Sequence, residues 1–416
     1  MSTWKNVILS DVLTKKGYIR GPFGSALKRN ELLSEGIPVY EQQHAIYNIR
    51  DFRFYIDEAK FEEMKRFQVQ TDDLIISCSG TVGKASIISE QDPKGIISQA
   101  LLLLRADTDI IAPEYLKYFF MSREGYNAIV SRSSGSVQVN IARREVIENI
   151  PITLPDKSTQ ERIVGILSSL DRKIEINEKI NGNLEQQARA LFQSMFINSE
   201  ERYSWESGVF ADLIESTLGG DWGKESPTGN NTEMVYCIRG ADIPEVRAGN
   251  KGKMPTRYIL PKNYAAKHLL PGDIVVEISG GSPTQSTGRV AAISQSLLDR
   301  YDKGMVCTNF CKAIKPKTGY SMFVYYYWQY LYDRNVFFLY ENGTTGIKNL
   351  DLSGFITTEE IVIPPAHLVK HFDDYCQIIF DQIFANGLEN EQLATIRDTL
   401  LPRLMSGEID VSQLSI

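Results

Sequence analysis

The 416-residue sequence has few cysteines and histidines and no long apolar run. Its five cysteines form no Cys-x-x-Cys pair and its four histidines are scattered, so we expect reduced thiols and no metal site. No apolar stretch reaches the length of a membrane span, and the first residues lack the apolar core of a signal peptide. These absences predict a cytoplasmic protein without a membrane segment.

Signatures of catalysis are also missing from the sequence. The stretch Gly80–Lys84 is similar to a phosphate loop, but only two residues separate its glycines, where the Walker pattern needs four. Ala85 occupies the position where that pattern binds magnesium through Ser or Thr. The sequence has no dinucleotide fingerprint, no methyltransferase tetrapeptide and no evident nucleophile–histidine pairing. We therefore predict a binding protein with no catalytic residue, no metal and no cofactor of its own.

What the sequence does contain is an internal repeat. Asp73-Leu74-Ile75-Ile76 is echoed by Asp273-Ile274-Val275-Val276, and Ser79-Gly80 by Ser279-Gly280. Ser98-Gln99 corresponds in the same way to Thr308-Asn309. Each copy has the size of a globular domain followed by a long helix, too long for a solenoid unit. The repeat predicts the order domain, helix, domain, helix.

Each half is predicted to be a mixed, strand-rich α+β domain. Apolar runs predict strands at 74–77, 85–88 and 96–104, followed by a helix at 113–130. The second half repeats these as strands at 274–278, 290–293 and 305–314 and a helix at 321–338. The boundaries we expect are a domain at 1–155, a helix at 156–200, a domain at 201–364, and a helix with a tail at 365–416.

Both helical segments carry apolar residues at alternating steps of four and three, the period of a coiled-coil seam. Two asparagines interrupt each stripe at the same steps. If the two helices pair antiparallel and in register, Asn177 lies opposite Asn390 and Asn181 lies opposite Asn386. This pairing would relate the two domains by a pseudo-twofold axis. It also joins apolar residues: Ile163 with Leu404, Leu167 with Leu400, Ile174 with Leu393, and Leu184 with Ile383. Buried asparagines would fix this register, and the alternative is that they lie on a solvated edge.

The net charge of −7 is concentrated in the helical segments, so the two domains are neutral and contain local basic stretches. One stretch runs from Arg132 to Arg144 without an acidic residue. The other contains Arg247, Lys251, Lys253 and Arg257. Contact with a phosphate backbone depends on the local field, so both stretches suit nucleic-acid binding. Ordinary solvated loops are the alternative interpretation.

Small polar loops occur at equivalent positions of the two halves and complete the predicted DNA-binding set. Side-chain amides pair with adenine edges, and hydroxyls and cations also suit base or phosphate contact. Lys84 and Arg289 belong to the set because each follows a glycine at the same place in the repeat. The loop residues are Arg132, Ser133, Ser136, Gln138, Asn140 and Arg143 in the first half, and Thr344, Thr345, Lys348 and Asn349 in the second.

The ending Leu400-Leu401-Pro402-Arg403-Leu404-Met405-Ser406-Gly407-Glu408-Ile409 is the most specific signal in the chain. With Trp4 and Trp205 near the starts of the halves, and Gln160-Glu161-Arg162-Ile163 opening the first helix, it resembles the specificity subunit of type I restriction-modification systems. Arg403 stands where that family usually has Lys. The second helix departs from the family pattern, because Leu368–Phe372 replaces a Gln-x-x-Ile opening.

The resemblance implies that each domain is a target-recognition domain reading one part of a split, non-palindromic DNA target. The helices would act as a ruler and as a docking surface for two methyltransferase subunits, joined by restriction/translocase subunits in a prokaryotic cytoplasm. S-adenosylmethionine, ATP and Mg²⁺ would bind those partners and not this chain. Two alternatives stay open: a scaffold of two peptide-binding domains, or the recognition subunit of a differently organised restriction-methylation enzyme.

Overall fold

The computed structural model describes residues 4–23, 26–131, 140–282, 284–343 and 347–412, without the side chains of residues 131 and 140. The chain divides into two compact units. Unit 1 comprises Met1–Asp171 and Ala394–Ile416, and unit 2 comprises Arg172–Leu393. Both boundaries fall inside the two long helices, so each unit contains one part of each helix.

Unit 1 contains short strands and helices, followed by the first long helix. Its strands are β1 (Lys5–Ile8), β2 (Leu13–Arg20), β3 (Ile37–Tyr40), β4 (Tyr55–Ile56), β5 (Asp73–Ser77), β6 (Ala85–Ile87), β7 (Ile96–Ile97), β8 (Leu101–Ala106), β9 (Val130–Ser131), β10 (Asn140–Ile141) and β11 (Pro151–Leu154). Its helices are α1 (Gln42–Tyr47), α2 (Glu58–Glu63), α3 (Pro113–Met121), α4 (Arg123–Ile129) and α5 (Arg144–Glu148). Helix α6 (Lys157–Phe192) begins in this unit and continues into unit 2.

The centre of unit 1 is an antiparallel sheet in the order β2-β8-β5-β6. A second sheet has the order β4-β3-β7, in which β3 and β7 run parallel. Strand β5 is buried on both faces, because Leu74 and Ile76 pack with helix α3 while Ile75 packs with the core around Tyr40. The apolar run that predicts this strand is typical of such double burial.

Unit 2 repeats this topology. Its strands are β12 (Glu206–Val209), β13 (Ile214–Gly219), β14 (Glu233–Ile238), β15 (Thr256–Ile259), β16 (Ile274–Glu277), β17 (Ser279–Gly280), β18 (Val290–Ala292), β19 (Met305–Cys307), β20 (Cys311–Pro316), β21 (Glu341–Asn342), β22 (Lys348–Leu350) and β23 (Glu360–Ile363). Its helices are α7 (Ile243–Arg247), α8 (Pro261–Lys267), α9 (Gln295–Leu298), α10 (Ser321–Asp333), α11 (Leu352–Thr358) and α12 (Ala366–Met405), the last of which continues into unit 1. The orders β13-β20-β16-β18 and β15-β14-β19 correspond strand by strand to those of unit 1.

The repeated Asp of the two central strands has a structural role. Asp73 is buried, accepts a hydrogen bond from the backbone N–H of Gln70, and pairs with Arg105 at 2.8 Å. Asp273 accepts in the same way from Leu270 and pairs with Lys315 at 2.9 Å. A buried carboxylate needs such partners to offset its lost hydration. This motif therefore belongs to the fold of each unit.

Four predicted elements are interrupted in the structure. The predicted strands 96–104 and 305–314 each contain a turn, so β7 and β8, and likewise β19 and β20, are separate strands. The predicted helix 113–130 breaks at Ser122, whose hydroxyl accepts from the Gly125 N–H and caps helix α4. The predicted helix 321–338 ends at Asp333, because Asn335 adopts a left-handed φ of 61°. Periodicity identified the elements but missed these local side-chain and turn effects.

The aromatic run Tyr325-Tyr326-Tyr327-Trp328 lies in the core of unit 2. All four residues are buried, and the indole N–H of Trp328 donates to the Gly288 carbonyl at 2.8 Å. Helix α10 is buried around most of its circumference, which explains how consecutive aromatic residues can all be internal.

Candidate nucleic-acid interface

In unit 2, several loops meet at the edge of the sheet where strand β16 ends. The N–H of Ile278 donates to the Phe310 carbonyl at 2.9 Å, joining this end to the turn between β19 and β20. Ser279 pairs with Asn349 on β22, and its hydroxyl donates to the Asn349 side-chain oxygen. The structure therefore brings Asn349, Lys348 and the loop after β16 together.

The corresponding edge of unit 1 is built in the same way. The N–H of Cys78, just after β5, donates to the Ala100 carbonyl at 2.9 Å. Gly83 has a φ of 79°, and an added Cβ would lie 3.0 Å from the Tyr126 ring, so the turn before the exposed Lys84 needs glycine. In unit 2, Gly288 occupies the equivalent position against the Phe337 ring. Each sheet edge thus presents closely packed turns followed by a cation.

An arginine-lined groove adjoins this edge in unit 1. It has a volume of about 470 Å³, and its lining includes Arg20, Arg66, Arg143 and Arg144. Arg144 pairs with Glu148 at 2.8 Å, which raises the pKa of the Arg144 guanidinium. The other three arginines have no carboxylate partner among the residues that the structure describes. Of these, only Arg143 belongs to the predicted set.

Aromatic side chains accompany these arginines. The guanidinium carbon of Arg20 lies 5.5 Å from the centre of the Phe23 ring, and that of Arg144 lies 4.9 Å from the Tyr18 ring. Phe23 is 69% exposed. Exposed rings beside cations suit contact with a charged backbone and with bases. Arg20 and Arg66 were missed because sequence spacing gives no signal for residues that only tertiary packing brings together.

The predicted cations of unit 2 are largely neutralised within the unit. Arg289 makes a two-pronged pair with Glu277 at 2.8 and 2.7 Å, and that carboxylate raises the pKa of the Arg289 guanidinium. Lys348 pairs with Glu341 at 2.7 Å. Paired cations attract phosphate less than free ones do, because the neighbouring carboxylate cancels their local field.

The basic stretch from Arg247 to Arg257 is dispersed over the surface of unit 2. Lys253 is exposed, whereas the ammonium of Lys251 lies 4.7 Å from the centre of the Tyr301 ring. The Arg257 side chain is 9% exposed, pairs with Glu225 and lies over the Trp222 ring at 3.7 Å. Arg247 lies 3.9 Å from Glu185 on helix α6. Lys253 is the member of this stretch that is best placed for a phosphate contact.

Several predicted residues lie partly or wholly outside the described residues. The strand pairing of Asn140 with Ser131 is described, but its side chain is not. The remaining loop predictions lie outside the described residues: Arg132, Ser133, Ser136, Gln138, Thr344 and Thr345.

The four predicted asparagines meet in pairs in unit 2. The Nδ2 group of Asn177 donates to Oδ1 of Asn390 at 2.9 Å, and Nδ2 of Asn386 donates to Oδ1 of Asn181 at 2.8 Å. All four are buried, with Asn177 1% and Asn390 7% exposed. They therefore do not lie on a solvated edge. These are the two pairs that the register of the stripes predicts.

Further hydrogen bonds complete this buried network. Asn177 also donates to Glu389 at 2.7 Å and accepts from the Lys173 ammonium at 3.0 Å. Asn181 donates to the carbonyls of Ala248 and Ile383, each at 3.1 Å. Buried amides are tolerated when their donors and acceptors are satisfied, as here.

The apolar residues of the stripes are divided between the units. In unit 1, Ile163, Leu167 and Leu404 are buried in one core, with Leu400 packed against it. In unit 2, Ile383 is buried and Leu184 packs against the same core, while Ile174 and Leu393 are partly exposed. Arg397 pairs with Asp171 at 2.8 Å beside the unit 1 core.

The terminal sequence pattern also has a structural basis in unit 1. Gly407 has a φ of 74°, and a Cβ added there would lie 3.1 Å from the Trp4 ring. Arg403 pairs with Glu408 at 2.7 Å, closing the end of helix α12. The Ser-Gly-Glu turn after helix α12 thus packs against Trp4, and the contact links two of the residues on which the family resemblance rests.

Among the described residues, no group of three or more His, Cys, Asp or Glu side chains is arranged to hold a metal ion. None of the helices in that described part of the chain has the length and apolar character needed to cross a membrane. All five cysteines are buried free thiols.

Residues 1–186 match the family model of the type I restriction modification DNA specificity domain. The chain is 22% identical over 399 residues to the type I restriction enzyme HindI specificity subunit of Haemophilus influenzae, covering 76% of this chain and 81% of that protein. It is 25% identical over 332 residues to the MjaIX specificity subunit of Methanocaldococcus jannaschii, covering 74% and 71%.

The fold is similar to the crystal structure of a type I restriction-modification S subunit from M. genitalium, with a TM-score of 0.54. The two are 14% identical, and the match covers 97% of this chain and 96% of that one. The match of residues 1–186 to this family model, together with the two related proteins, confirms the resemblance of the chain to specificity subunits of type I restriction-modification systems.

Proposed function

We propose that this chain is a DNA-binding specificity subunit that reads a bipartite, non-palindromic target through its two globular domains. The main support is the sheet edge where several loops meet, at the end of β5 in unit 1 and of β16 in unit 2. This edge is built in the same way in both units, and an arginine-lined groove adjoins it in unit 1. Two similar folds with different loop residues suit the reading of two different half-sites.

The two domains engage DNA with different balances of charge. Arg20, Arg66 and Arg143 supply backbone attraction in the first domain. The second domain offers polar and paired groups at its edge, and Lys253 is the exposed member of its predicted basic stretch. The first domain therefore supplies more of the salt-dependent affinity, because this term scales with the number of phosphates neutralised.

The long helices form an antiparallel coiled coil that acts as a ruler between the half-sites. The asparagine pairs support this pairing, because a slip in register would leave buried amides facing apolar side chains. Helices of 36 and 40 residues extend over about 54 and 60 Å at the usual rise. That length suits half-sites one to two duplex turns apart, at about 34 Å per turn.

The chain itself contributes recognition and no catalysis. Two methyltransferase subunits bind along the helices, restriction/translocase subunits join them, and those partners hold S-adenosylmethionine, ATP and Mg²⁺. The names of the similar proteins support this division, because both relatives described above are specificity subunits.

The proposal is tested by selecting duplexes bound by the full-length chain from a library with two randomised blocks and a variable spacer. We expect a two-part motif at one spacing, with different sequences in the two blocks. A peptide-binding scaffold would return no motif, and that result would refute the proposal.

A second measurement separates backbone contact from base reading. Replacing Arg66 or Arg143 by alanine should weaken binding to all duplexes alike and lower the salt slope by about 0.9 for each lost phosphate contact. Lys94→Ala is the control, because Lys94 is already paired with Glu58 and precedes strand β7, at the end away from the turn. A changed motif in the arginine variants would contradict the assignment to phosphate.

A further inference from the structure

The turns that interrupt the predicted strands occupy the same place in both units. One comprises residues 98–100, between β7 and β8, and the other comprises residues 308–310, between β19 and β20. In the first, the N–H of Leu101 donates to the Ser98 carbonyl at 3.1 Å. In the second, the N–H of Cys311 donates to the Thr308 carbonyl at 2.9 Å. The two loops are therefore tight turns of the same kind.

Each turn is held rigidly from both sides. The N–H of Ser98 donates to the Tyr40 carbonyl at 2.8 Å, and that of Thr308 donates to the Ile238 carbonyl at 3.0 Å. A Cβ added at Gly21 would overlap the Ser98 carbonyl, and one added at Gly220 would overlap the Thr308 carbonyl. A neighbouring strand thus approaches each turn so closely that only glycine fits.

The second residue of each turn is an exposed amide, Gln99 in unit 1 and Asn309 in unit 2. Neither side chain makes a hydrogen bond to another residue in the described parts of the chain. The carbonyl of the third residue, Ala100 in unit 1 and Phe310 in unit 2, accepts a hydrogen bond from the residue that follows the central strand. This bond joins each turn to the sheet edge of the candidate interface. Both amides are therefore presented at the candidate interface on a rigid backbone.

The surroundings of the two amides differ in the side chains that form them. Gln99 and Ser98 line a cavity of about 600 Å³ with Glu41 and Arg53, which pair with each other at 2.6 Å. The Ser98 hydroxyl has no hydrogen-bond partner among the described residues. In unit 2, Arg239 follows β14 as Glu41 follows β3, and it pairs with Asp242 at 2.9 Å.

We propose that Gln99 and Asn309 determine specificity, each contacting a base edge of one half-site. A side-chain amide presents one donor and one acceptor, which match the N6 and N7 groups of adenine in the major groove. A fixed turn loses little conformational freedom on binding, which strengthens discrimination. Glu41 and Arg239 occupy equivalent places beside the turns, so the two half-sites would meet different neighbouring side chains. This inference rests on the proposed DNA-reading function.

The test compares the motifs selected by the full-length wild type, Gln99→Ala and Asn309→Ala from the doubly randomised library. Gln99→Ala should lose about 5- to 100-fold discrimination at one or two positions of a single half-site. Asn309→Ala should do the same in the other half-site only. Gln99→Glu should move the preference at the affected position towards cytosine, because a carboxylate accepts from its N4 amine.

The matched controls are Gln91→Ala and Gln295→Ala, exposed amides near the opposite ends of the same sheets. Both should keep the wild-type motif. A wild type that selects a two-part motif which both turn variants retain would overturn this inference while leaving the proposed function intact. Equal weakening on all sequences would also overturn it, because that identifies a backbone contact. A wild type that selects no motif would refute the proposed function itself.

Discussion

Gly387 on helix α12 lies directly against the backbone of Gly249, so closely that an added Cβ would overlap the Gly249 carbonyl oxygen. The same loop is held from two other sides. The Asn181 amide donates to the Ala248 carbonyl at 3.1 Å, and Arg300 donates to the Gly249 carbonyl at 2.7 Å. The globular part of unit 2 is thereby fastened to its helices at the level of the asparagine pairs.

Gly387→Ala should destabilise the protein by about 1–3 kcal/mol, because the new methyl group must displace a backbone that cannot move freely. Gly182→Ala is the matched control on helix α6, where an added Cβ meets nothing within 4 Å. It should stabilise the helix by up to about 1 kcal/mol, the usual difference between glycine and alanine. Thermal unfolding of both variants checks the prediction, and equal shifts would contradict it.

The asparagine pairs should show energetic coupling. Asn177→Leu or Asn390→Leu alone leaves a buried amide group without its partner and should cost about 1–3 kcal/mol. The double variant should lose less than the sum of the two single losses, because it leaves no orphaned amide between the two positions.

Unfolding of the two single variants and the double variant gives the coupling free energy. Asn183→Leu, at an exposed position of helix α6, is the control and should change stability little. The double variant should also accept a wider range of spacings between half-sites, since register is less strictly specified. If the loss of unfolding free energy in the double variant equalled the sum of the two single losses, the two asparagines would not be coupled, and the prediction would be wrong.

Acid should weaken the contact between Glu389 and the asparagine network. The Asn177 amide, followed by the Lys173 ammonium, lowers the pKa of Glu389 below its ordinary value of 4.5. A lowered folded-state pKa means that this stabilisation is fully present above pH 4.5 and is lost as pH falls through the folded value. The loss of this stabilisation is therefore confined to acidic conditions.

Glu389→Gln keeps an acceptor oxygen but removes the titrating charge, so it isolates this effect. The melting temperature of the wild type should exceed that of Glu389→Gln near pH 7, and the difference should vanish below the folded pKa. A difference that stays constant from pH 7 to pH 3 would show that the charge of Glu389 has no part in it.

The five cysteines should resist thiol reagents in the native protein. Burial raises the pKa of Cys78 and Cys237 to about 12 and that of Cys311 to about 11, and it also raises the pKa of Cys307 and Cys376. Only the thiolate reacts, so a raised pKa and burial both slow modification.

At pH 8, a disulfide reagent such as dithionitrobenzoate should modify no thiol rapidly, and all five should react after denaturation. Rapid native reaction of one thiol would contradict its burial. Mass spectrometry of the modified peptides would then identify that cysteine.

The local sequence pattern was sufficient to predict the internal repeat and the pairing of the asparagines. The alternation of four and three residues places Asn177 and Asn390 at matching levels of their helices, and the structure joins them by a hydrogen bond. Such a pattern can be recognised in the sequence because the spacing of residues along a helix determines which of them share one face. The same reasoning identified the central strands, since buried strands are continuous apolar runs.

Tertiary structure decided which charged side chains are free to bind. The sequence predicts Arg289 as a DNA-binding cation, but Glu277, on the neighbouring strand, neutralises it. Arg20 and Arg66 gave no sequence signal, yet the fold brings them into one groove with Arg143. Ion pairs and grooves form between residues distant in the chain, and no local spacing specifies which of them meet. The sequence therefore determined the repeated architecture, whereas the packing of each unit determined the surface that it offers to DNA.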